Sequence, residues 1–508
     1  MYYFIPAWFK NNERSFYNVA KPWYRDSKKI EFDDSINQIK MFEQAGTAVK
    51  LLIIGYMPNL RSFLQRQELD ETAYLSIFDE LQGISLQGTR RIMVNDLKFP
   101  TDAEFVYTPF RIMVYHKEQL YAKVDIGTLG EILTVTRPTK QYVFDDRGFL
   151  SSILYTTAEG TPLRQEYLNL AGEVRFIEDL QSGKVQIAPA FLKNFKYSEY
   201  ENIQALVTEK FNQFLQQVTN DDAFVLAAGG QRTKLALELI NSPKIIMSYF
   251  TGRNKELAPL QVEPVAKAYL AVADTQATAD LIAPLYPAEK IKVVTPFDTR
   301  LRLGHSQRLA KDWLLFLVDE IAASVLDQAL SQILELMRQQ PKLGLELGVF
   351  RRDDVNLHNL RAQILAKAPD FKVTLPGDEK EAENQLEEKK YAGEVHLFYL
   401  DTENEIVRAL DRARVLIDLG TPPDLYAQIA AISAGVPQIV LHAEQLVEHE
   451  KNGLVLQGDI NNLTKAIKYY TQELKYWNEA MMYAVAKISE LTGGNLAKRW
   501  QTWLEQSE

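Results

Sequence analysis

The chain runs to 508 residues, 46% of them hydrophobic and 24% charged, with a formal net charge of −10 and no cysteine. That length accommodates two or three domains with substantial cores, and the acidic balance offers no global basic field to nucleic acid or anionic lipid. Without cysteine there are no disulfides and no thiolate metal or redox sites, a composition that fits a reducing compartment.

Residues Met1 to Trp8 (MYYFIPAW) are apolar but short, with no basic lead-in and no small-residue cleavage pattern. Tyr3 to Trp8 therefore reads as a first buried strand rather than a targeting segment. No run approaches the ~20 apolar residues that span a bilayer, so a cytosolic protein is expected, with peripheral membrane contact left open. The loop that follows carries Phe16, Tyr17, Trp23 and Tyr24. Pro22 and the interleaved basic residues give these aromatics no stacking register, which favours a plug at a domain interface over a sugar platform. Asp33-Asp34-Ser35 caps a helix running to about Gly46, and Lys50 to Tyr56 is a buried parallel-type strand. Strand, helix, strand opens a doubly wound sheet.

From about Arg91 to Ala188 the texture changes to short strands between turns: Phe110–Tyr115, Tyr121–Asp125, Ile132–Thr136, Gln141–Phe144, Leu150–Tyr155 and Glu173–Ile177. This pattern predicts an antiparallel meander inserted into the first α/β domain. One of its faces must meet either a partner or its own domain, because only the other suits water. The α/β rhythm then resumes with helix Tyr200–Val218, strand Ala223–Ala228, helix Arg232–Ile240, strand Lys244–Phe250, helix Leu260–Val272 and strand Lys290–Thr295. Ala228-Gly-Gly-Gln-Arg-Thr-Lys234 lacks the full phosphate-loop spacing and reads as a plain strand-to-helix turn. Arg253, in the loop after Phe250, is a candidate anion contact.

A linker, Thr295 to Arg308, follows. Within it Arg300 and Arg302 stand at alternate positions, placed either to clamp an acidic group bidentately or to pin the hinge to Asp298 or Asp319. A second α/β domain is predicted on strands Leu314–Asp319, Leu343–Phe350, Phe371–Leu375, Val395–Leu400, Val415–Leu419 and Gln438–Leu441, with Asp378–Lys390 a solvated segment. The helical tail Leu463–Glu508 carries Trp477, Trp500 and Trp503 and is expected to cross back onto the first domain.

Little of this carries chemistry. The six histidines show no metal-ligand spacing, no Gly-x-Ser-x-Gly elbow occurs, and the adjacent acid pairs such as Asp33-Asp34 and Asp145-Asp146 read as caps and turns. No catalytic residue, metal or cofactor is expected. The informative stretch is Arg414 to Leu441, a strand, a tight loop, a helix and a strand. Thr421-Pro-Pro-Asp424 opens that helix and Gly435 closes it, which puts the loop where α/β proteins place phosphates. It resembles the donor-nucleotide half of GT-B glycosyltransferases, whose motif carries one carboxylate at the helix start and a second further along. Aligning Gly435-Val-Pro437 with that motif sets Pro422 and Ala430 at the two carboxylate positions, where neither side chain can hydrogen-bond a ribose or a phosphate. Asp424 is then either a displaced substitute or a first-turn carboxylate favoured by the helix dipole.

Over nearly its full length the chain resembles the first of the three accessory Sec secretion proteins of Gram-positive bacteria. The resemblance rests on Met1–Trp8, Lys29–Gln38, Thr295–Gly304 with Ser306-Gln-Arg308, and Ile432–Ile439, of which the Thr295–Arg308 run is the most specific. It implies an α/β, GT-B-like architecture: two Rossmann-like domains facing a cleft, with an antiparallel β-sheet insertion in the first. The expected division is 1–90 with 189–312 for the first domain, 91–188 for the insertion, 313–480 for the second domain and 481–508 for a returning C-terminal helix. The resemblance also implies a non-catalytic component of the accessory Sec system in the cytoplasm. Its implied partners are two companion accessory proteins, an accessory SecA-type ATPase and an O-glycosylated serine-rich-repeat glycoprotein cargo. The competing readings are an active nucleotide-sugar transferase acting on a Ser/Thr-rich polypeptide and a glycan-binding module.

Overall fold

The structure, a computed structural model, describes residues 1–8, 14, 16–19, 32–85, 88, 90–108, 111–127, 129–253, 267–297, 303–350, 354–378, 391–400, 402–443, 446–489 and 494–505. Its framework is three sheets. The first is seven-stranded and parallel, in the order Ile291–Val293, Leu270–Ala273, Ile245–Tyr249, Ala223–Ala227, Tyr2–Ile5, Val49–Ile53, Tyr74–Ser76. Its inner strands AFVLA and IIMSY are buried at every position, the continuous apolar run expected of a strand covered on both faces. Leu270–Ala273 corrects the sequence reading of a helix through Val272: four buried small or branched residues pair with Ile246–Tyr249. The earlier part of that predicted helix, 260–266, lies outside the described residues.

Between helices Ile77–Gln82 and Ile203–Leu215 the described residues make ten antiparallel strands, each hydrogen-bonded to the one before it, from Glu104–Tyr107 to Glu199–Tyr200. Turn chemistry sets this meander. Lys117 and Glu118 both adopt positive φ between two strands, the backbone of a tight hairpin. Gly148 has φ +95, and a Cβ there would lie 1.6 Å from the Arg90 carbonyl, so only glycine fits that corner. Four of the strands, Glu104–Tyr107, Pro162–Leu168, Val185–Ile187 and Glu199–Tyr200, were not legible as strands in the sequence. The later strands bury Val143, Tyr167, Phe176, Val185 and Ile187 against Phe78, Leu81 and Phe211 of the first domain, with Tyr167 and Phe176 stacked at 4.4 Å. This part of the sheet packs on its own domain. The earlier strands bury Ile112, Val114, Val124 and Val135 in a separate cluster beneath Ile92, Val94, Leu97 and Phe99.

The second parallel sheet is also seven-stranded, in the order Lys372–Thr374, Glu394–Tyr399, Leu343–Val349, Asp312–Leu317, Ala413–Asp418, Gln438–Val440, Gly453–Val455. Helix Ala323–Gln339 covers one face with Ala329, Leu330, Ile333, Leu334, Leu336 and Met337, the spacing of a single helical stripe. The predicted segment Asp378–Lys390 falls, beyond 378, outside the described residues.

The tail crosses back. Trp477, on helix Leu474–Ser489, is buried in the second domain's core and donates its indole N–H to the Arg414 carbonyl at 2.7 Å. Helix Gly494–Glu505 then sets Leu496, Trp500 and Leu504 into the first domain's core, with the Trp500 ring edge-on to Phe42 at 5.3 Å. In the N-terminal loop Phe16 is buried and Tyr17 stacks on Tyr56 at 5.5 Å, whereas Trp23 and Tyr24 lie outside the described residues. Among the described residues no helix is long and apolar enough to cross a membrane.

Candidate functional site

The stretch singled out in the sequence lies at the carboxyl ends of the second sheet, facing the first domain. Strand Ala413–Asp418 ends on a buried aspartate whose two oxygens organise the loop: Oδ1 accepts the Gly420 N–H at 3.1 Å and Oδ2 accepts the Asp424 N–H at 2.7 Å. The Thr421 N–H is held by the Glu320 carbonyl at 3.1 Å. Thr421 and Pro422, joined by a cis peptide, are exposed. Asp424 is the N-cap of helix Leu425–Ala434, its Oδ1 accepting the Ala427 N–H at 2.9 Å, so one carboxylate oxygen satisfies a helix-start donor. Gly435 ends the helix at φ +69, and a Cβ there would meet the Met481 side chain at 2.8 Å.

Nine of this helix's ten residues are buried, while the loop that opens it stays exposed at Thr421 and Pro422. Tyr426, Ala427, Ala430, Ala431 and Ala434 pack with Leu315, Leu317, Leu410 and Leu416 of the second domain. Ile429 and Ile432 point the other way, into the cluster that holds Phe4, Phe42, Val272 and Phe297 of the first. Ala430 is fully buried. At the start of the helix the Tyr426 ring lies 4.7 Å from Phe32, which in turn lies 5.9 Å from Phe250. The two domains are thus joined by aromatic and aliphatic packing along this helix.

Across the junction, the first domain buries two carboxylates and one guanidinium. Asp33, N-cap of helix Asp34–Gln44, and Asp34 face Arg253. Arg253 Nη1 donates to Asp33 Oδ2 and to Asp34 Oδ1 (2.9 Å), Nη2 to Asp34 Oδ2 (3.2 Å) and the Ser248 carbonyl (3.1 Å), and Nε to the Ala228 carbonyl (2.9 Å). Those bonds use all five donors of a guanidinium, so Arg253 is turned inward rather than offered to an anion. Burial pushes Asp33 up to about 6, with Arg253 opposing that rise and Asp34 adding to it. Burial acts on Asp34 as well, but Arg253 and the Ser248 hydroxyl, bonded at 2.5 Å, outweigh it and hold the group below the ordinary carboxylate range. Trp8 donates its indole N–H to Asp33 at 3.2 Å, tying the first strand's end to the cluster. Arg300 and Arg302, with Asp298, lie outside the described residues.

Elsewhere the acid pairs serve structure. Asp145 shares Arg147 with Asp79, and Asp146 Oδ2 accepts the Ser62 N–H at 2.6 Å. His449 Nδ1 accepts the Val455 N–H at 3.0 Å. Among the described residues no three His, Asp or Glu side chains are grouped to hold a metal ion. Sequence reasoning missed Asp418, Phe32 and Tyr426. A carboxylate closing an otherwise apolar strand was the signal for the first. Phe32 immediately precedes the Asp33 cap, where an apolar residue usually staples its own helix; four residues into that helix stands Asn37, and Phe32 packs on Tyr426 instead.

The sequence model of the family of accessory Sec system protein 1 matches residues 1–507. The chain belongs to that family. The accessory Sec system protein 1 of Streptococcus gordonii is 36% identical over 100% of this chain and 99% of its own length. A crystal structure of accessory secretory proteins 1, 2 and 3 of Streptococcus pneumoniae contains a chain that superposes with a TM-score of 0.87 at 32% identity, over 100% of this chain and 99% of that one. Membership of this family gives the chain a role in the accessory Sec system. The pneumococcal O-GlcNAc transferase GtfA, solved with UDP and GlcNAc, superposes with a TM-score of 0.66 at 12% identity, over 100% of this chain and 98% of that one. At that identity the likeness is one of fold, and the fold is the GT-B glycosyltransferase-like one that the sequence implied.

Proposed function

We propose that this member of the accessory Sec system protein 1 family is a non-catalytic platform of the export machinery. In this reading it assembles with two companion accessory proteins and engages an accessory SecA-type ATPase. Together they deliver an O-glycosylated serine-rich-repeat adhesin to the membrane channel from the cytoplasmic side. The observation that carries the reading is the state of helix Leu425–Ala434. Its two motif positions hold Pro422 and a fully buried Ala430, its remaining carboxylate Asp424 caps the helix, and Phe32 of the other domain packs on Tyr426. Transfer needs groups that stabilise charge developing on the leaving diphosphate, and a ligand site is largely preformed; a helix packed on both sides serves cohesion instead. The three-protein pneumococcal structure supports assembly as the role left to the shape.

The test is incubation of the purified chain with UDP-GlcNAc and a serine-rich acceptor polypeptide, read by intact mass, beside co-purification with the two companions. No mass increment together with stable co-purification is expected. Addition of sugar to the acceptor would replace the platform with a transferase.

A further inference from the structure

The meander ends in two unlike edges. At one, strand Glu199–Tyr200 is two residues long, carries the Lys184–Glu199 ion pair at 2.8 Å, and is tied by the Tyr200 hydroxyl to Glu209 on helix Ile203–Leu215. Short length, charge and a covering helix are how proteins blunt a sheet edge. At the other, strand Glu104–Tyr107 is exposed at all four positions, with Phe105 36%, Val106 49% and Tyr107 67% accessible. It contains no proline and no lysine, and its pairing with Arg111–His116, from Tyr107 opposite Ile112 to Glu104 opposite Tyr115, has no bulge.

Register fixes which backbone groups this edge presents. Thr108 donates its N–H to the Arg111 carbonyl at 3.1 Å, and bonded pairs alternate along an antiparallel ladder. Val106 and Glu104 therefore bond inward to Met113 and Tyr115, while the N–H and C=O groups of Phe105 and Tyr107 face outward. Phe105 and Tyr107 share a sheet face with Ile112 and Val114, the face that buries the cluster under Phe99. The Phe99 and Phe105 rings meet edge-on at 5.6 Å. The apolar layer thus runs to the edge, where, among the described residues, no further strand pairs with it.

We propose that this edge receives an extended strand from one of the companion accessory proteins, added antiparallel as an eleventh strand of the meander. The proposal rests on the platform reading above and names the surface that platform uses. Main-chain bonds to Phe105 and Tyr107 hold the incoming strand. An aromatic or β-branched residue on their face continues the apolar layer, and a lysine or arginine opposite Glu104 completes the pairing on the other face. A second copy of this chain fits less well, because each copy brings a net charge of −10 and no basic residue in the strand to meet Glu104.

The experiment uses the full chain and the two companion proteins. Tyr107→Pro deletes an outward-facing N–H at an edge position, where proline costs no ladder bond, and Tyr107→Lys places a charge on the edge while leaving the backbone intact. Both variants should melt like the parent and capture the companions at least about tenfold more weakly, the loss expected for one hydrogen bond with its apolar contact. In the parent complex, the Phe105 and Tyr107 amides should become protected from hydrogen exchange. Undiminished capture by both variants, or unchanged exchange at those two amides, overturns the proposal. So does a parent homodimer that both variants split, since the edge would then belong to a second copy. A parent chain that captures no companion refutes the platform reading itself, a failure distinct from the loss of this edge.

Discussion

Placing a carboxylate at Ala430 tests whether this part of the helix lines a dormant pocket or a packed core. Ala430 is fully buried among Leu315, Leu317 and Leu416. A glutamate there leaves a buried charge without a partner, which costs about 3–5 kcal/mol, and its added methylenes cost about 1–3 kcal/mol in a filled core. Ala430→Glu should therefore lose on the order of 5 kcal/mol, a large share of the about 5–15 kcal/mol that holds a typical domain. The charge part has a pH signature. Burial raises the folded-state pKa of the new carboxyl above its unfolded value, so the unfolded chain binds fewer protons and stability falls as pH rises. The deficit should shrink by about 1.4 kcal/mol for each pH unit below neutral, down to about pH 4.3. Ala430→Gln carries the volume without the charge and should show a smaller deficit with no such slope. Urea unfolding of the parent and both variants at pH 5 and 7.5 reads all three quantities. An Ala430→Glu chain as stable as the parent at pH 7.5, and gaining affinity for a UDP-sugar, would refute the reasoning, because only an open polar pocket accommodates that charge.

Two further outcomes follow from the same packing. Trp500→Ala removes a fully buried indole from beneath Phe42 and should destabilise the first domain by about 3–5 kcal/mol, with hydrogen-exchange protection lost first over Gly494–Glu505; unchanged protection there would mean the tail does not brace that domain. Burial pushes Glu346 up to about 7, with Arg412 at 2.7 Å pulling the other way. A raised acid pKa gives stability that is fullest below the unfolded value of 4.5 and falls as pH climbs towards 7, by on the order of 3 kcal/mol. Glu346→Gln should flatten that fall in melting curves taken from pH 5 to 8, and a parent profile already flat over that range would contradict it.

The parallel sheets were legible because their strands are unbroken apolar runs, such as Leu314 to Leu317 and Ile245 to Met247, separated by helices. The tail's return was legible from its tryptophans, which a solvent-facing helix does not need. Leu270–Ala273 was misread because a four-residue apolar run has no period of its own. The terminal strands of the meander escaped notice because Glu104–Tyr107 is exposed at every position and Glu199–Tyr200 has only two residues, so neither alternates. At the site, the loop from Thr421 and the helix closed by Gly435 were readable from their turn and cap residues. What packs around them was not: Phe32 and Tyr426 lie far apart in the chain, and nothing local to either announces the contact. The same holds for Arg253, whose loop position suggested an anion contact, while its partners Asp33 and Asp34 come from the first helix.

The most direct measurement is a pair of calorimetric titrations on one preparation of the purified chain, first with UDP-GlcNAc and then with the two companion accessory proteins. A packed helix at Leu425–Ala434 and a surface built for assembly predict no saturable heat from the nucleotide sugar and a saturable isotherm from the companions. Saturable binding of UDP-GlcNAc, with no heat from the companions, would contradict the account.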